Sequence, residues 1–268
     1  MRKNVDIKWY QTLDSTNTQA SREISQAPDG TVWIADFQTA GRGQRGNRWE
    51  SAKCENLTFS ILFKPTFLSP AQQFAISEVA AIGVCRYLRS KGLPAQIKWP
   101  NDIYIGNKKI CGMLIEHSIS GANLAGSIVG IGLNLNQREF SSDAPNPTSL
   151  LLEAEALASS NVPEGTYDRR EELSSLLGYI FTAYGELEDG FAAELNQEYL
   201  DCLYRFNQWH QFIEIDANAP ADVPVEKMAA GRTITARITG IDPYGCVILE
   251  HQDGTVQSYP FKGIRYII

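Results

Sequence analysis

The alternation of apolar and polar positions changes character several times along the chain, and each change predicts a different element. Residues 5–13 mix the two classes and run into Asp14-Ser15-Thr16-Asn17-Thr18, a cluster of helix-capping residues ahead of Ala20, Glu23 and Ile24. A strand followed by a helix is expected there. Thr31 to Phe37 is a β-rich run ending in Gly41-Arg42-Gly43-Gln44-Arg45-Gly46, too rich in glycine to continue as strand or helix, so a loop is expected. Leu57 to Phe63 reads as another strand. Ser69-Pro70 offers an N-cap and first-turn pair for a helix with Phe74, Val79, Ile82 and Leu88 inward, stopped by Gly92 and Pro94.

Ile97 to Trp99, Ile103 to Ile105 and Lys109 to Glu116 look like strands, the last two joined by a tight turn at Gly106-Asn107, and Ser127 to Asn136 is an apolar strand interrupted by Gly130 and Gly132. From Thr148 the spacing becomes helical, with Leu173, Leu176, Leu177, Ile180 and Tyr184 on one face, and helices should fill most of 148–205. Beyond the Ala-, Asp- and Pro-rich stretch 217–224, short β-like runs at 231–240, 245–250 and 255–260 are separated by turn pairs. They predict a small β-barrel, too small to be stable alone and therefore docked on the rest. The expected class is α+β: a mixed β-sheet flanked by helices over residues 1–217, and a small C-terminal β-barrel over residues 218–268.

Composition narrows the function classes. With 268 residues, 43% apolar and 21% charged, the chain is long enough for a proper core and too apolar for disorder. A formal charge of −7 weighs against binding nucleic acid through the whole surface. The cysteines at 54, 85, 111, 202 and 246 never form a Cys-x-x-Cys pair, so neither a disulfide framework nor a zinc ribbon is indicated. The histidines at 117, 210 and 251 lack metal-ligand spacing. No apolar run has the length of a signal-peptide core or a membrane span, so a cytoplasmic protein with no membrane partner is expected.

Candidate chemistry concentrates in three segments. Gly41 to Trp49 packs three arginines and three glycines into one loop of an acidic chain. Glycine lets backbone N–H groups approach a ligand and guanidinium forks bind phosphate or carboxylate, so an anion site is expected, with a solvated turn as the alternative. The Gly-Lys-Ser/Thr ending of a Walker loop is missing. Lys98-Trp99-Pro100-Asn101-Asp102 gathers a cation, an aromatic, an amide and a carboxylate around one proline; a strand end with an Asn-Asp turn is the plain alternative. Lys108 to Glu116 opens a strand with two lysines and puts Gly112 where a ligand could lie against the backbone.

Together with Gly130-Ile131-Gly132-Leu133-Asn134-Leu135-Asn136, these segments resemble the biotin-protein ligase family in order and spacing, over essentially the whole chain from Val5 to Ile268. The resemblance is to the monofunctional type, without an N-terminal DNA-binding module. It implies a class II synthetase-like catalytic fold with an SH3-like C-terminal barrel. It also implies an ATP-dependent activity that makes biotinyl-5'-AMP and transfers biotin to a lysine of a biotin carboxyl carrier domain.

By position, Ser15, Thr16, Asn17 and Gln38 would meet the biotin ring, with Gly112 beside it, and Arg42, Gly43, Gln44 and Lys109 its carboxylate. Arg45, Arg48, Trp49, Lys98, Asn101 and Asn134 would contact ATP or the adenylate, and Asp102 with Asn134 would hold magnesium. Arg42, Arg45, Lys98 and Lys109 would carry the chemistry. ATP, Mg and biotin are then substrates and ion, with no tightly bound prosthetic group and no DNA partner; homodimer formation stays open. Gln44 departs from members that carry arginine at that position, leaving Arg45 as the neighbouring cation. A lipoate-protein ligase is the nearest alternative. A biotin-responsive DNA-binding repressor and a β-barrel adaptor are more distant ones.

Overall fold

A computed structural model of the chain describes residues 5–44, 47–121, 123–141, 146–157, 166–215, 231–261 and 263–268. The larger sheet contains β1 (Ile7–Tyr10), β2 (Val32–Ala35), β3 (Leu57–Phe63), β4 (Ala95–Lys98), β5 (Asp102–Ile105), β6 (Lys108–Ser120) and β7 (Asn123–Leu133). Its strand order is β1-β2-β3-β7-β6-β5-β4. Only β1 and β2 run parallel; the other neighbours are antiparallel, which makes the sheet mixed.

The helices are α1 (Thr16–Glu23), α2 (Phe74–Ser90), α3 (Leu150–Leu157), α4 (Arg169–Glu188) and α5 (Ala192–Asp201). Side chains alternate across a strand, so Leu57, Phe59, Ile61 and Phe63 of β3 all point into the main core with α2 and α4. Phe63 stacks on Tyr184 of α4 at 4.1 Å between ring centroids. Gly83 of α2 lies so close to α4 that a Cβ would stand 2.7 Å from the Ile180 Cα, which fixes the approach of the two helices. On the opposite face, Leu62 and Ile128 pack with Ala20 of α1 and Trp33 in a smaller cluster. Because α1 covers only part of that face, the small and polar positions of β3, β6 and β7 are left to line a cleft.

Ser69 and Pro70 do start a helical segment, though not α2 directly. They cap a single 3-10 turn, Pro70–Gln72, whose Gln72 side chain folds back to the Ser69 N–H, and the α-helix begins at Phe74. Phe74, Val79, Ile82 and Leu88 are buried as expected.

The second sheet holds β8 (Trp209–Glu214), β9 (Thr233–Ile241), β10 (Val247–His251), β11 (Val256–Tyr259) and β12 (Ile264–Tyr266), in the antiparallel order β11-β10-β9-β8-β12. Among the described residues this is an open sheet, with no pairing that closes it into the expected barrel. The expected boundary between residues 217 and 218 lies outside the described residues, and β8 already belongs to the second sheet ahead of it. The two sheets are joined tightly. Trp99 Nε1 donates to the Gly245 carbonyl at 2.9 Å, Phe261 meets Trp99 edge-on, and a Cβ at Gly245 would run into the Phe74 ring.

Glu78 of α2 is buried and accepts a hydrogen bond from Asn196 Nδ2 at 2.7 Å. Burial pushes its carboxyl up to about 7, against the smaller lowering effect of Asn196. Since the folded value lies above the ordinary one, this carboxyl's contribution is fully present below the unfolded pKa and is lost as pH rises through about 7. Glu78→Gln should therefore flatten the fall of thermal stability between acid and mildly alkaline pH, by an amount on the order of 3 kcal/mol. Parallel pH profiles for the two proteins would show that Glu78 is not held protonated.

Candidate functional site

One cleft of about 1130 Å³, counted with its open mouth, runs across the sheet face that α1 leaves uncovered. Six chain segments and the end of the second sheet meet there. Arg42, Arg48, Lys98, Lys109 and Arg265 line it against a single acidic side chain among the described residues, Asp102. For a chain with a formal charge of −7 this is a local reversal of sign, and it makes the cleft attractive to anions.

Glycines make the floor. Gly112 of β6 and Gly132 of β7 are paired across the two strands, and the indole of Trp49 occupies the space above them. A Cβ on Gly132 would stand 2.2 Å from Trp49 Cε2, and one on Gly112 would stand 2.9 Å from Cζ3. Gly130, one step along the same face, leaves room for Asn17. Over this floor the arginine-glycine loop folds back on itself. Gly43 N–H donates to Asn47 O, Trp49 N–H donates to Gly41 O, and Arg42 pairs with Arg48 in an isolated antiparallel bridge. The loop's described arms, residues 41–44 and 47–49, thus form a flap whose far end is the tryptophan.

Every cation in the cleft with a described contact is held by a neighbour. Lys109 Nζ lies 2.7 Å from Asp102 and 5.8 Å from the centre of the Trp49 ring. Arg42 Nη2 lies 2.7 Å from Glu116 of β6. The Lys98 ammonium sits between two tyrosine rings, 5.1 Å from Tyr104 and 5.2 Å from Tyr266, the second supplied by β12. Two polar atoms in this region, Trp49 Nε1 and Tyr266 Oη, are buried without a hydrogen-bond partner among the described residues. Burial also pushes the Tyr266 hydroxyl up, keeping it a proton donor. A buried donor left unpaired costs about 1–3 kcal/mol, which a ligand acceptor can return.

Of the residues expected at the site, Ser15, Thr16, Asn17, Gln38, Arg42, Gly43, Gln44, Arg48, Trp49, Lys98, Asn101, Asp102, Lys109 and Gly112 all line this one cleft. Ser15 stands at the N-cap of α1 in extended backbone, yet its side chain makes no capping bond, so its own helix does not consume the hydroxyl. The room beside Gly112 is taken by Trp49 and Lys109 rather than lying open. Arg45 lies outside the described residues.

Asn134 does not line the cleft. Its Nδ2 donates to the Thr148 carbonyl at 2.9 Å, and its own N–H bonds to Ile110 O, just past the end of β7 at Leu133. For a magnesium ion this leaves Asp102 as the one carboxylate among the described lining residues, and no cluster of three metal-type side chains occurs among the described residues. Such a donor set fits magnesium only when phosphate oxygens and water complete the shell.

The sequence reading missed what β12 and the turn ahead of it bring: Ile264, Arg265 and Tyr266 of the strand, and Phe261 before it, also line the cleft. Three residues of strand near a chain end carry too short an alternation to be legible. It also missed Ser60, wholly buried behind the lining, and Glu116, part-exposed against Arg42. Ser60 was visible only as a polar residue inside an apolar strand.

The chain is similar to known proteins in sequence and in fold. A profile of the biotin/lipoate A/B protein ligase family matches residues 9–134. The bifunctional ligase/repressor BirA of Salmonella typhimurium is 30% identical over 248 residues, covering 92% of this chain and 70% of that protein. The biotin–[acetyl-CoA-carboxylase] ligase of Paracoccus denitrificans is 37% identical over 128 residues, covering 46% of this chain and 51% of its own length. Among solved structures, a biotin protein ligase from Aquifex aeolicus in complex with biotin and ATP superposes with a TM-score of 0.75 at 23% identity, covering 98% of this chain and 99% of that one.

The floor can be tested directly. Gly132→Ala should force the indole out, destabilise the fold by about 1–3 kcal/mol and change the near-UV circular dichroism of Trp49, read as a difference against Trp49→Phe. A variant with unaltered spectrum and melting temperature would mean that the indole does not rest on this strand.

Proposed function

The chain belongs to the biotin/lipoate A/B protein ligase family, and we propose that, as a biotin-protein ligase, it activates biotin with ATP to biotinyl-5'-AMP and transfers biotin to a lysine of a biotin carboxyl carrier domain. The observation that carries this reading is the convergence of Arg42, Lys98 and Lys109, from three separate segments, on one cleft in an acidic chain. The first half-reaction brings two anions together, the acid's carboxylate and the α-phosphate of ATP. Its main physical demand is charge neutralisation at fixed geometry, with no protein nucleophile.

In this reading Lys109 meets the biotin carboxylate, giving up part of its pairing with Asp102, and Arg42 exchanges part of its contact with Glu116 for the reacting anions. Lys98, held between Tyr104 and Tyr266, faces the phosphates. Trp49 Nε1 and the Tyr266 hydroxyl supply further donors. The two described arms of the flap keep water from the mixed anhydride until the acceptor lysine attacks its carbonyl carbon and AMP leaves. Magnesium, with Asp102 as its protein carboxylate, would add positive charge beside the phosphates. The net charge of −7 supports a reading without a DNA partner.

Biotin should support ATP–pyrophosphate exchange by the purified chain and lipoate should not. Lys109→Ala should lower that exchange roughly a hundredfold, about 3 kcal/mol of transition-state stabilisation. Exchange driven by lipoate would sink the choice of acid, and a full-speed Lys109→Ala enzyme would remove the lysine's role.

A further inference from the structure

Asn17 is wedged between two groups that can only accept hydrogen bonds. Its Nδ2 lies 2.8 Å from Oε2 of Glu116, the carboxylate that Arg42 grips from the other side, and 3.2 Å from the Leu114 carbonyl oxygen. Both amide hydrogens are thereby committed, and Oδ1 must face the opposite way. There it meets Ser60 Oγ at 2.6 Å. At that separation the Ser60 proton has to lie between them, because two oxygens facing each other without a hydrogen repel. Nothing larger than glycine fits at position 130 beside this contact, since a Cβ would stand 2.1 Å from Asn17 Oδ1.

The direction of the next bond follows. Ser60 is wholly buried and has spent its one proton, so it offers only lone pairs to Thr16 Oγ1, 2.8 Å away. Thr16 must therefore donate to Ser60 and turn its own lone pairs to the cleft it lines. Gln38 is committed with the opposite polarity. Its Oε1 accepts the Thr16 backbone N–H at 2.7 Å, which leaves Nε2 to donate into the same cleft. One acceptor and one donor stand side by side.

We infer that Ser60 and Glu116, neither of which lines the cleft, are positioning residues that fix Thr16 as a hydrogen-bond acceptor beside the Gln38 donor. The site so made selects an acid whose head group presents an N–H next to a carbonyl. A cyclic urea meets that pattern; a dithiolane ring offers neither group. This deepens the biotin reading above and rests on it.

The experiment is calorimetric titration of the full chain with biotin and with biotin methylated on the ureido nitrogens, together with KM for biotin and for ATP. Wild type is compared with Ser60→Ala, Glu116→Leu and Glu116→Gln. Ser60→Ala lets the Thr16 hydroxyl rotate, so biotin should bind about tenfold more weakly, the preference over the methylated acid should shrink, and KM for ATP should hold within about twofold. Glu116→Leu should likewise weaken biotin binding and shrink the preference over the methylated acid, with KM for ATP read from Ser60→Ala alone because Glu116 also holds Arg42; Glu116→Gln, which keeps an acceptor oxygen for Asn17, should bind biotin within about threefold of wild type.

A Ser60→Ala chain that melts like wild type with unchanged biotin affinity and unchanged discrimination overturns the relay. If that variant does not fold, the same two outcomes are read from Glu116→Leu. Failure of the underlying reading looks different: the unaltered chain itself would not bind biotin.

Discussion

The cleft depends on side chains that are absent. Where β6 and β7 pair Gly112 with Gly132, the sheet surface is bare backbone, and the Trp49 indole lies against it closely enough that one methyl group on Gly132 would overlap the ring. That contact ties the end of the arginine-glycine loop to the middle of the sheet. From it follow the position of the flap, the stacking of Lys109 near the indole, and the depth of the remaining space. Two glycines in mid-strand weaken a sheet by losing chain entropy and side-chain packing, and here the indole restores the packing from outside the strand.

Electrostatics supply the second constraint. Arg42, Arg48, Lys98, Lys109 and Arg265 share one cleft, and at an effective dielectric near 20 two like charges about 4 Å apart repel by roughly 4 kcal/mol. Asp102 holds Lys109 and Glu116 holds Arg42, so part of that repulsion is offset inside the protein, while Lys98 sits over aromatic faces that attract a cation without cancelling its charge. Carboxylates used in this way act as place-holders: they keep the cations oriented, and an incoming anion can compete for them. A cleft lined by neutral polar groups would lack that competition and the selectivity for anions it brings.

Much of this was legible in the sequence, for reasons that separate by length scale. Strand β3 showed its alternation over seven residues, and α2 and α4 carry helical spacing over seventeen and twenty, long enough for periodicity to dominate. The arginine-glycine loop and the Lys-Trp-Pro-Asn-Asp run were legible because their residue types are unusual together. Strands β8 and β12 were not: the first follows directly on helices and buries only Phe212 fully, and the second has three residues. The contacts of Glu116 and Ser60 were illegible for a different reason. A carboxylate at the end of a strand motif and a serine in an apolar strand acquire a role only when strands far apart in sequence are brought side by side.

The second sheet shows how little of a site need be declared by motif. Tyr266 lies two residues from the chain's last position, in a strand too short to predict, and still places its ring against Lys98 and, in the cleft region, a buried hydroxyl that has no partner among the described residues. Its placement relies on contacts spread over the junction: Trp99 donating to Gly245, Phe74 filling the space that Gly245 leaves, and Phe261 packed on Trp99. Trp99 therefore does two jobs, lining the cleft on one side and seating the second sheet on the other. Any substitution that loosens this junction moves Tyr266 and Arg265 together, so the geometry around Lys98 is set by how well two sheets pack as much as by the lysine's own strand.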